Sequence, residues 1–102
     1  MRNNFKSYVL AVAFYRLSHT LQIPCHLREQ LNRASASIVL NLAEGEGRAS
    51  RADQKRFFTI AFASLRECQA ILDLMPRPQT KAIEAAELLA AHIYRLIQSC
   101  GG

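Results

Sequence analysis

Hydrophobic residues recur along this chain at steps of three and four, and they group into four segments separated by breaks. Such spacing is typical of amphipathic helices. Asn, Ser, Thr, Gly and Pro at the breaks predict helix 1 from after Asn3 or Asn4 to about His19 or Thr20, helix 2 from about Cys25 to Gly45, helix 3 from Arg51 to about Leu74 and helix 4 from Thr80 to about Ser99. Four helices joined by short loops predict an all-α, up-down-up-down antiparallel four-helix bundle, with residues 1–102 forming a single domain.

Each predicted helix carries an apolar stripe that we expect to face the core. The stripes comprise Leu10, Phe14, Leu17 and Leu21 in helix 1, Leu27, Leu31, Ala34, Ile38 and Leu42 in helix 2, Phe57, Ala61, Ser64, Leu65, Cys68, Leu72 and Met75 in helix 3, and Ile83, Ala86, Ala90, Ile93 and Ile97 in helix 4. Ser50 is expected to cap helix 3 by accepting from the N–H of Asp53. Gly45 and Gly47 are expected to allow positive φ and a sharp reversal after helix 2.

Helix 2 also has a polar stripe beside its apolar one. We call this stripe, with Glu67 of helix 3, the polar seam; its helix 2 members lie within an arc of roughly 80° and are Gln30, Arg33, Ser37, Asn41 and Glu44. We expect these residues to satisfy one another and to fix the helix register, a structural role that we favour over catalysis by Glu44 and Glu67.

No charged residue occurs between Arg33 and Glu44, and apolar residues cover the other sides of helix 2. A helix that is apolar nearly all round is normally covered on most sides, but a chain of 102 residues has one bundle core, which covers only one side. Either a second subunit or another partner is then expected to cover the remaining sides, and a homo-oligomer is our first prediction. The candidate subunit interface consists of Tyr8, Tyr15, Val39, Leu40 and Phe62.

The net charge of +5 is unevenly distributed, because residues 1–66 carry 10 Lys/Arg against 4 Asp/Glu and residues 67–102 carry 3 against 4. Four cations cluster within nine residues, and we call them the basic group: Arg48, Arg51, Lys55 and Arg56. Two interpretations stay open. The basic group is either a solvated helix start or a phosphate-contacting surface for RNA or DNA, which a cyclic oligomer would repeat around its ring. Phe62 either stacks on a base or is buried by another subunit.

The cysteines and the N-terminal sequence bear on location. Cys25, Cys68 and Cys100 are odd in number and far apart, so a disulfide framework or zinc knuckle is not expected and a reducing cytoplasm fits best. The apolar run Tyr8–Tyr15 after Lys6 resembles a secretory signal only poorly, because it is short and Arg16 follows at once. No uncharged run approaches the ~20 residues of a membrane span.

The residue pattern of the metal site that four-helix bundles most often hold is missing from the sequence. None of the six Glu residues is followed by His three positions later, which excludes the usual di-iron carboxylate pattern. No phosphate-binding glycine loop and no G-x-S-x-G motif occurs. We therefore expect no enzymatic activity, no metal, no other cofactor and no small-molecule substrate.

The sequence resembles the bacterial four helix bundle protein family, which includes proteins encoded in intervening sequences of 23S ribosomal RNA genes and is similar to accessory variability determinants of diversity-generating retroelements. The resemblance covers about residues 10 to 75, and it rests on Gln30, Arg33-Ala34, Ser37-Ile38, Asn41-Leu42, Glu44-Gly45, Gly47-Arg48, Phe57, Ile60-Ala61, Ser64-Leu65 and Glu67. Glu46 departs from the family pattern, which commonly has an aromatic residue there, and Ala63 stands where Gly is common.

The resemblance implies a four-helix bundle that assembles into a cyclic homo-oligomer, with five subunits among relatives. The retroelement accessory proteins use a basic pentameric surface to bind a reverse transcriptase and nucleic acid. Our leading hypothesis is therefore a non-enzymatic, cytoplasmic, homopentameric scaffold. The alternative is an accessory protein that binds nucleic acid or a nucleic-acid enzyme through the basic group, although Glu46 places a negative charge beside it.

Overall fold

The computed structural model describes residues 5–101 and confirms the all-α, up-down-up-down antiparallel four-helix bundle. The helices are α1 (Lys6–Ser18), α2 (Cys25–Glu46), α3 (Arg51–Asp73) and α4 (Thr80–Ser99). Each helix packs against its neighbour in sequence, and α1 also packs against α4, which closes the bundle. Within the described residues, none of the helices is long and apolar enough to cross a membrane.

The helix boundaries follow the predicted caps and breaks. Ser50 has extended backbone and its side chain accepts from the N–H of Asp53 at 3.1 Å, as predicted. Pro24 occupies the N-cap of α2, where its missing N–H costs no hydrogen bond. The predicted caps of helix 1, Asn3 and Asn4, lie outside the described residues, and α1 begins at Lys6 with Phe5 at its N-cap.

The apolar stripe of α2 is confirmed, because Leu31, Ala34, Ile38 and Leu42 are buried. The other three stripes are confirmed in part. In α1, Phe14 is buried as predicted, but Ala11 and Ser18 are buried in place of Leu10 and Leu17, which are half-buried. In α3, Phe58 is buried and Phe57 is only half-buried, contrary to the prediction. In α4, the core side is centred on Ala82, Ala86, Leu89 and Ile93, whereas Ile83, Ala90 and Ile97 are half-buried.

The prediction of positive φ at Gly45 and Gly47 is wrong. Gly45 lies inside α2, and Gly47 caps the helix with φ −84°. Gly45 instead permits a close approach of α2 and α3, because a Cβ atom there would lie 2.5 Å from Cε1 of Phe58. The absent side chain thus makes room for an aromatic ring of the core.

A buried polar contact joins α1 to α2. Ser18 and Ser35 are fully buried, and their hydroxyl oxygens lie 3.4 Å apart. The Ser18 hydroxyl donates to the Tyr15 carbonyl at 2.7 Å. Arg28 then connects α2 to the end of α1, because its guanidinium donates to the carbonyls of Ser18 and Leu21. These contacts fix the α1–α2 connection.

Candidate functional site

An open apolar groove runs between α1 and α2. Its volume is about 410 Å³, and its lining residues are Val12, Tyr15, Arg16, Ala36, Val39 and Leu40. Leu40, in the middle of the 22-residue helix α2, is 66% exposed. The uncharged segment of α2 between Arg33 and Glu44 therefore borders this groove.

The five candidate interface residues do not lie on one surface. Tyr15, Val39 and Leu40 line the groove. Tyr8 is half-buried on α1, and its ring stacks against Phe5 at a centroid distance of 6.4 Å. Phe62 lies on the α3–α4 side of the bundle, where the Arg66 guanidinium lies 4.7 Å from its ring centroid and Tyr94 packs at 6.5 Å. Contacts within the chain thus partly cover Phe62.

The polar seam runs along the α2–α3 contact. The hydroxyl oxygens of Ser37 and Ser64 lie 2.8 Å apart, and the Asn41 side-chain amide donates to the Ser37 carbonyl at 2.9 Å and to its hydroxyl at 3.1 Å. Arg33 pairs with Glu67 at 3.0 Å near solvent. Ser64 belongs to this network although the sequence placed it in a core stripe.

Two members of the predicted polar seam lie apart from this network. Gln30 is exposed. Glu44 pairs with Arg48 at 2.5 Å, one helical turn later, and so belongs to the α2–α3 turn. The two carboxylates nominated for chemistry, Glu44 and Glu67, therefore bind different arginines. Among the described residues, no group of three His, Cys, Asp or Glu side chains is placed to hold a metal ion.

Half of the basic group surrounds one aromatic ring. The guanidinium groups of Arg48 and Arg56 lie 4.7 and 4.4 Å from the ring centroid of Phe57, a cation–π geometry. Asp53 lies 3.5 Å from Arg56 and 4.0 Å from Arg48. Together with Glu44, Asp53 offsets much of the positive charge of this pair of arginines.

The other half of the basic group lies on a different side of α3. Arg51 donates to the carbonyl of Ser99 at 3.1 Å, at the C-terminal end of α4. A cation at this position also interacts favourably with the helix dipole. Lys55 follows Arg51 by one helical turn and is half-buried. The four cations thus form two pairs on two sides of the helix, and sequence proximity alone did not separate them.

The Cys68 thiol is not an activated nucleophile. All three cysteines are free thiols, and Cys68 is fully buried in the core. Burial, with a smaller contribution from Glu67, raises the pKa of the Cys68 thiol to about 12. At neutral pH this thiol is therefore protonated and acts as a small apolar side chain.

Comparison with known proteins supplies the family. The chain matches the family described as 23S rRNA-intervening sequence protein over residues 4–101, which is nearly its whole length. No curated protein matches the chain. The match spans all four helices, and the chain belongs to the 23S rRNA-intervening sequence protein family.

Proposed function

We propose that this protein is a non-enzymatic scaffold that acts by self-association, and that its assembly is a homopentamer. The observation that carries the proposal is the apolar groove between α1 and α2 with exposed Leu40 on its rim. Water contact of such a surface is unfavourable by about 25 cal/mol per Å². The five-subunit ring follows from the family resemblance, and the three free thiols support a reducing, cytoplasmic location.

Uncharged helix surface extends over both walls of the groove. In α1 no charged residue lies between Lys6 and Arg16, and in α2 none lies between Arg33 and Glu44. Along α3 the longest uncharged run, residues 57–65, is as long as that of α1, and along α4 the longest such run is residues 88–94. Depletion of charge is the compositional feature that distinguishes the core of a protein interface from the remaining surface. Together with the groove, the uncharged runs support α1 and α2 as the helices that meet a second copy.

Light scattering at micromolar concentration tests the proposal directly. We expect an assembly of the native chain and a monomer for the variant Leu40→Glu, because a carboxylate on this surface would have to be desolvated. Leu74→Glu is the matched control, since Leu74 is 67% exposed and Leu40 is 66% exposed. A native chain that is monomeric would refute self-association. If both variants assemble as the native chain does, the groove is not part of the interface.

A second candidate function is binding of RNA, DNA or a nucleic-acid enzyme. It is favoured by the two arginines that flank Phe57, because guanidinium groups and an aromatic ring together can contact phosphates and stack on a base. The opposing carboxylates of Glu44 and Asp53 weaken it.

Titration with mixed oligonucleotides at low and moderate salt tests this second candidate. If it holds, binding weakens steeply with salt, and the double variant Arg48→Ala with Arg56→Ala lowers the salt slope by about 2. The variant Lys81→Ala with Arg95→Ala removes the same charge from α4 and serves as the control. Absence of binding at low salt would exclude this function.

A further inference from the structure

An apolar strip lies where α3 meets α4, on the side of the bundle opposite to the α1–α2 groove. We call it the α3–α4 strip, and its members are Phe62, Ile83, Ala90, Tyr94 and Ile97. Ile83, Ala90 and Ile97 recur every seven residues and therefore share one side of α4. Tyr94 is 54% exposed, whereas the other four are half-buried against the core. An exposed tyrosine beside a phenylalanine, with ring centroids 6.5 Å apart, is typical of the centre of a protein interface.

Uncompensated positive charge lies at one end of the α3–α4 strip, near the beginning of α3. Arg48 and Arg56, around Phe57, are paired with carboxylates. By contrast, Arg51 and Arg66 donate only to neutral oxygens, a backbone carbonyl and a side-chain amide. Within the described residues, Lys55 forms no ion pair either. The cations on the α4 side of α3 are therefore free to attract an acidic partner.

Negative charge lies at the other end of the strip. Asp73 and Glu87, one from each helix, line a cavity of about 210 Å³ whose deepest residue, Leu72, is only 3% exposed. Neither carboxylate is ion-paired in the part of the chain that the structure describes, although Arg66 also lines the cavity. Asp73 follows Lys55 by 18 residues, or about 27 Å of helix. The sign of the charge thus reverses along the strip.

We propose that the α3–α4 strip binds an amphipathic helix of another protein, with acidic first turns, an apolar middle and basic last turns. Its apolar side chains pack on Phe62 and Tyr94, and its charges complement those at the two ends of the strip. This goes beyond self-association, because it gives the scaffold a surface for a different protein. It does not depend on self-association, because the strip and the α1–α2 groove lie on opposite sides of the bundle.

The form and direction of the bound chain follow from the same observations. A helix bonds its own N–H and C=O groups, so it leaves no backbone group unpaired against the apolar strip. About 18 helical residues span the distance of about 27 Å. Acidic residues stabilise the first turn of a helix and basic residues the last. The bound helix therefore points in the same direction as α3, with its acidic turns beside Lys55 and its basic turns beside Asp73.

A second copy of this chain complements the strip less well. The cations at its own strip are already held, because Arg51 donates to the end of α4, and Arg66 donates to Gln69 and lies over the ring of Phe62. The α1–α2 surface of a second copy carries no charge along most of its length. Neither surface offers acidic side chains at one end and mobile basic ones at the other.

Two synthetic peptides of about 20 residues test the proposal, since this length spans the strip as a helix. They share one composition and one Leu stripe with a central Trp. In the polarised peptide, Glu fills the first two turns and Lys the last two, whereas in the mixed peptide Glu and Lys alternate. The protein contains no Trp, so a blue shift of the Trp fluorescence reports docking of the peptide alone. The polarised peptide should bind at least about tenfold more tightly, and its advantage should shrink with salt.

Variants of the protein locate the bound peptide. Tyr94→Ala should weaken binding of the polarised peptide by about tenfold, as expected for an aromatic residue at the centre of an interface. Leu88→Ala is the matched control, because Leu88 is 50% exposed on the same helix but lies about 120° around it from Tyr94. Lys55→Glu should weaken binding of the polarised peptide about two- to fivefold and leave the mixed peptide nearly unaffected. Circular dichroism confirms that each variant is folded.

Four outcomes would overturn the proposal. Equal binding of the two peptides, or no binding of either, would show that the charge pattern selects no helix. Equal effects of Tyr94→Ala and Leu88→Ala would place the peptide on another surface. If Tyr94→Ala reduces the mass of the native assembly in light scattering, the strip is covered by a second copy. If mixed oligonucleotides displace the polarised peptide at moderate salt, the strip is a nucleic-acid surface instead.

Discussion

Replacing Gly45 by alanine is expected to destabilise the bundle, although alanine is the better helix former. A Cβ atom at position 45 would lie 2.5 Å from Cε1 and 2.8 Å from Cδ1 of Phe58, and 3.2 Å from Cβ of Phe57. Ordinary carbon contacts are about 3.5–4.0 Å, so the helices or the ring must move by about 1 Å. Phe58 is only 3% exposed, so its ring has little room to move away.

The expected size follows from two opposing effects. Overpacking a well-packed core costs about 1–3 kcal/mol. Alanine in the interior of a helix gains about 1 kcal/mol over glycine. The net loss for Gly45→Ala should therefore be about 0–2 kcal/mol. Gly47→Ala is the matched control, because φ is −84° and the nearest atoms would lie 3.7 Å away or more. That variant should be stabilised by about 0.4–1 kcal/mol.

Urea unfolding followed by far-UV circular dichroism measures both variants. Gly45→Ala should unfold at lower urea than the native protein and Gly47→Ala at higher urea. In a Phe58→Ala background the clash with the ring is absent and only the milder 3.2 Å contact with Cβ of Phe57 remains, so Gly45→Ala should there become neutral or stabilising. If Gly45→Ala stabilises the native protein as much as Gly47→Ala does, the close approach of α2 and α3 is not limited by the missing side chain.

Three further predictions concern the core and the polar seam. The free energy of unfolding of the native protein should fall between about pH 9 and 12, because the unfolded Cys68 thiol ionises near its ordinary pKa of 9.0 while the folded thiol stays protonated up to its pKa of about 12. Cys68→Ala should lack this contribution. An equal pH slope in both proteins would contradict the prediction. Ser37→Ala should cost about 1–2 kcal/mol in urea unfolding, and combining it with Ser64→Ala should cost less than the sum, because neither hydroxyl then lacks its partner. The side chains of the Arg33–Glu67 pair are 66% and 40% exposed, so the pair should contribute only about 0.2–1 kcal/mol to stability in a double-mutant cycle. This coupling energy should shrink in high salt. A salt-independent coupling energy would mean that the pair is less hydrated than its exposure indicates.

Periodicity and capping residues were sufficient to predict the helices and their order. Ser50 illustrates why, since a cap is a local interaction that depends on residues three positions apart. The choice between Phe57 and Phe58 was harder, because adjacent residues differ by about 100° in direction and both are aromatic. The structure resolves it through the space that Gly45 leaves on α2 for the ring of Phe58. Such a contact between distant residues leaves no periodic signal in the sequence.

The candidate site was predictable in composition and less so in arrangement. The uncharged segment around Leu40 correctly indicated an apolar surface. Phe62 was predicted to lie in the same subunit interface as Leu40 because both side chains are large and apolar. The sequence does not show which two helices each residue lies between, because that depends on the handedness of the bundle. The basic group likewise follows from the sequence, whereas its division around α3 depends on Ser99, 48 residues beyond Arg51. Hydrogen bonds across such separations cannot be read from charge runs.

The hydrogen bond from Arg51 to Ser99 connects the beginning of α3 to the end of α4. The terminal turn of a helix normally frays, because its last carbonyls lack intrahelical partners. Here one of those carbonyls is held by a side chain whose own helix is anchored by the Ser50 cap. Local opening of either end should therefore loosen the other, so that backbone amides in these two turns exchange their hydrogens with solvent at related rates.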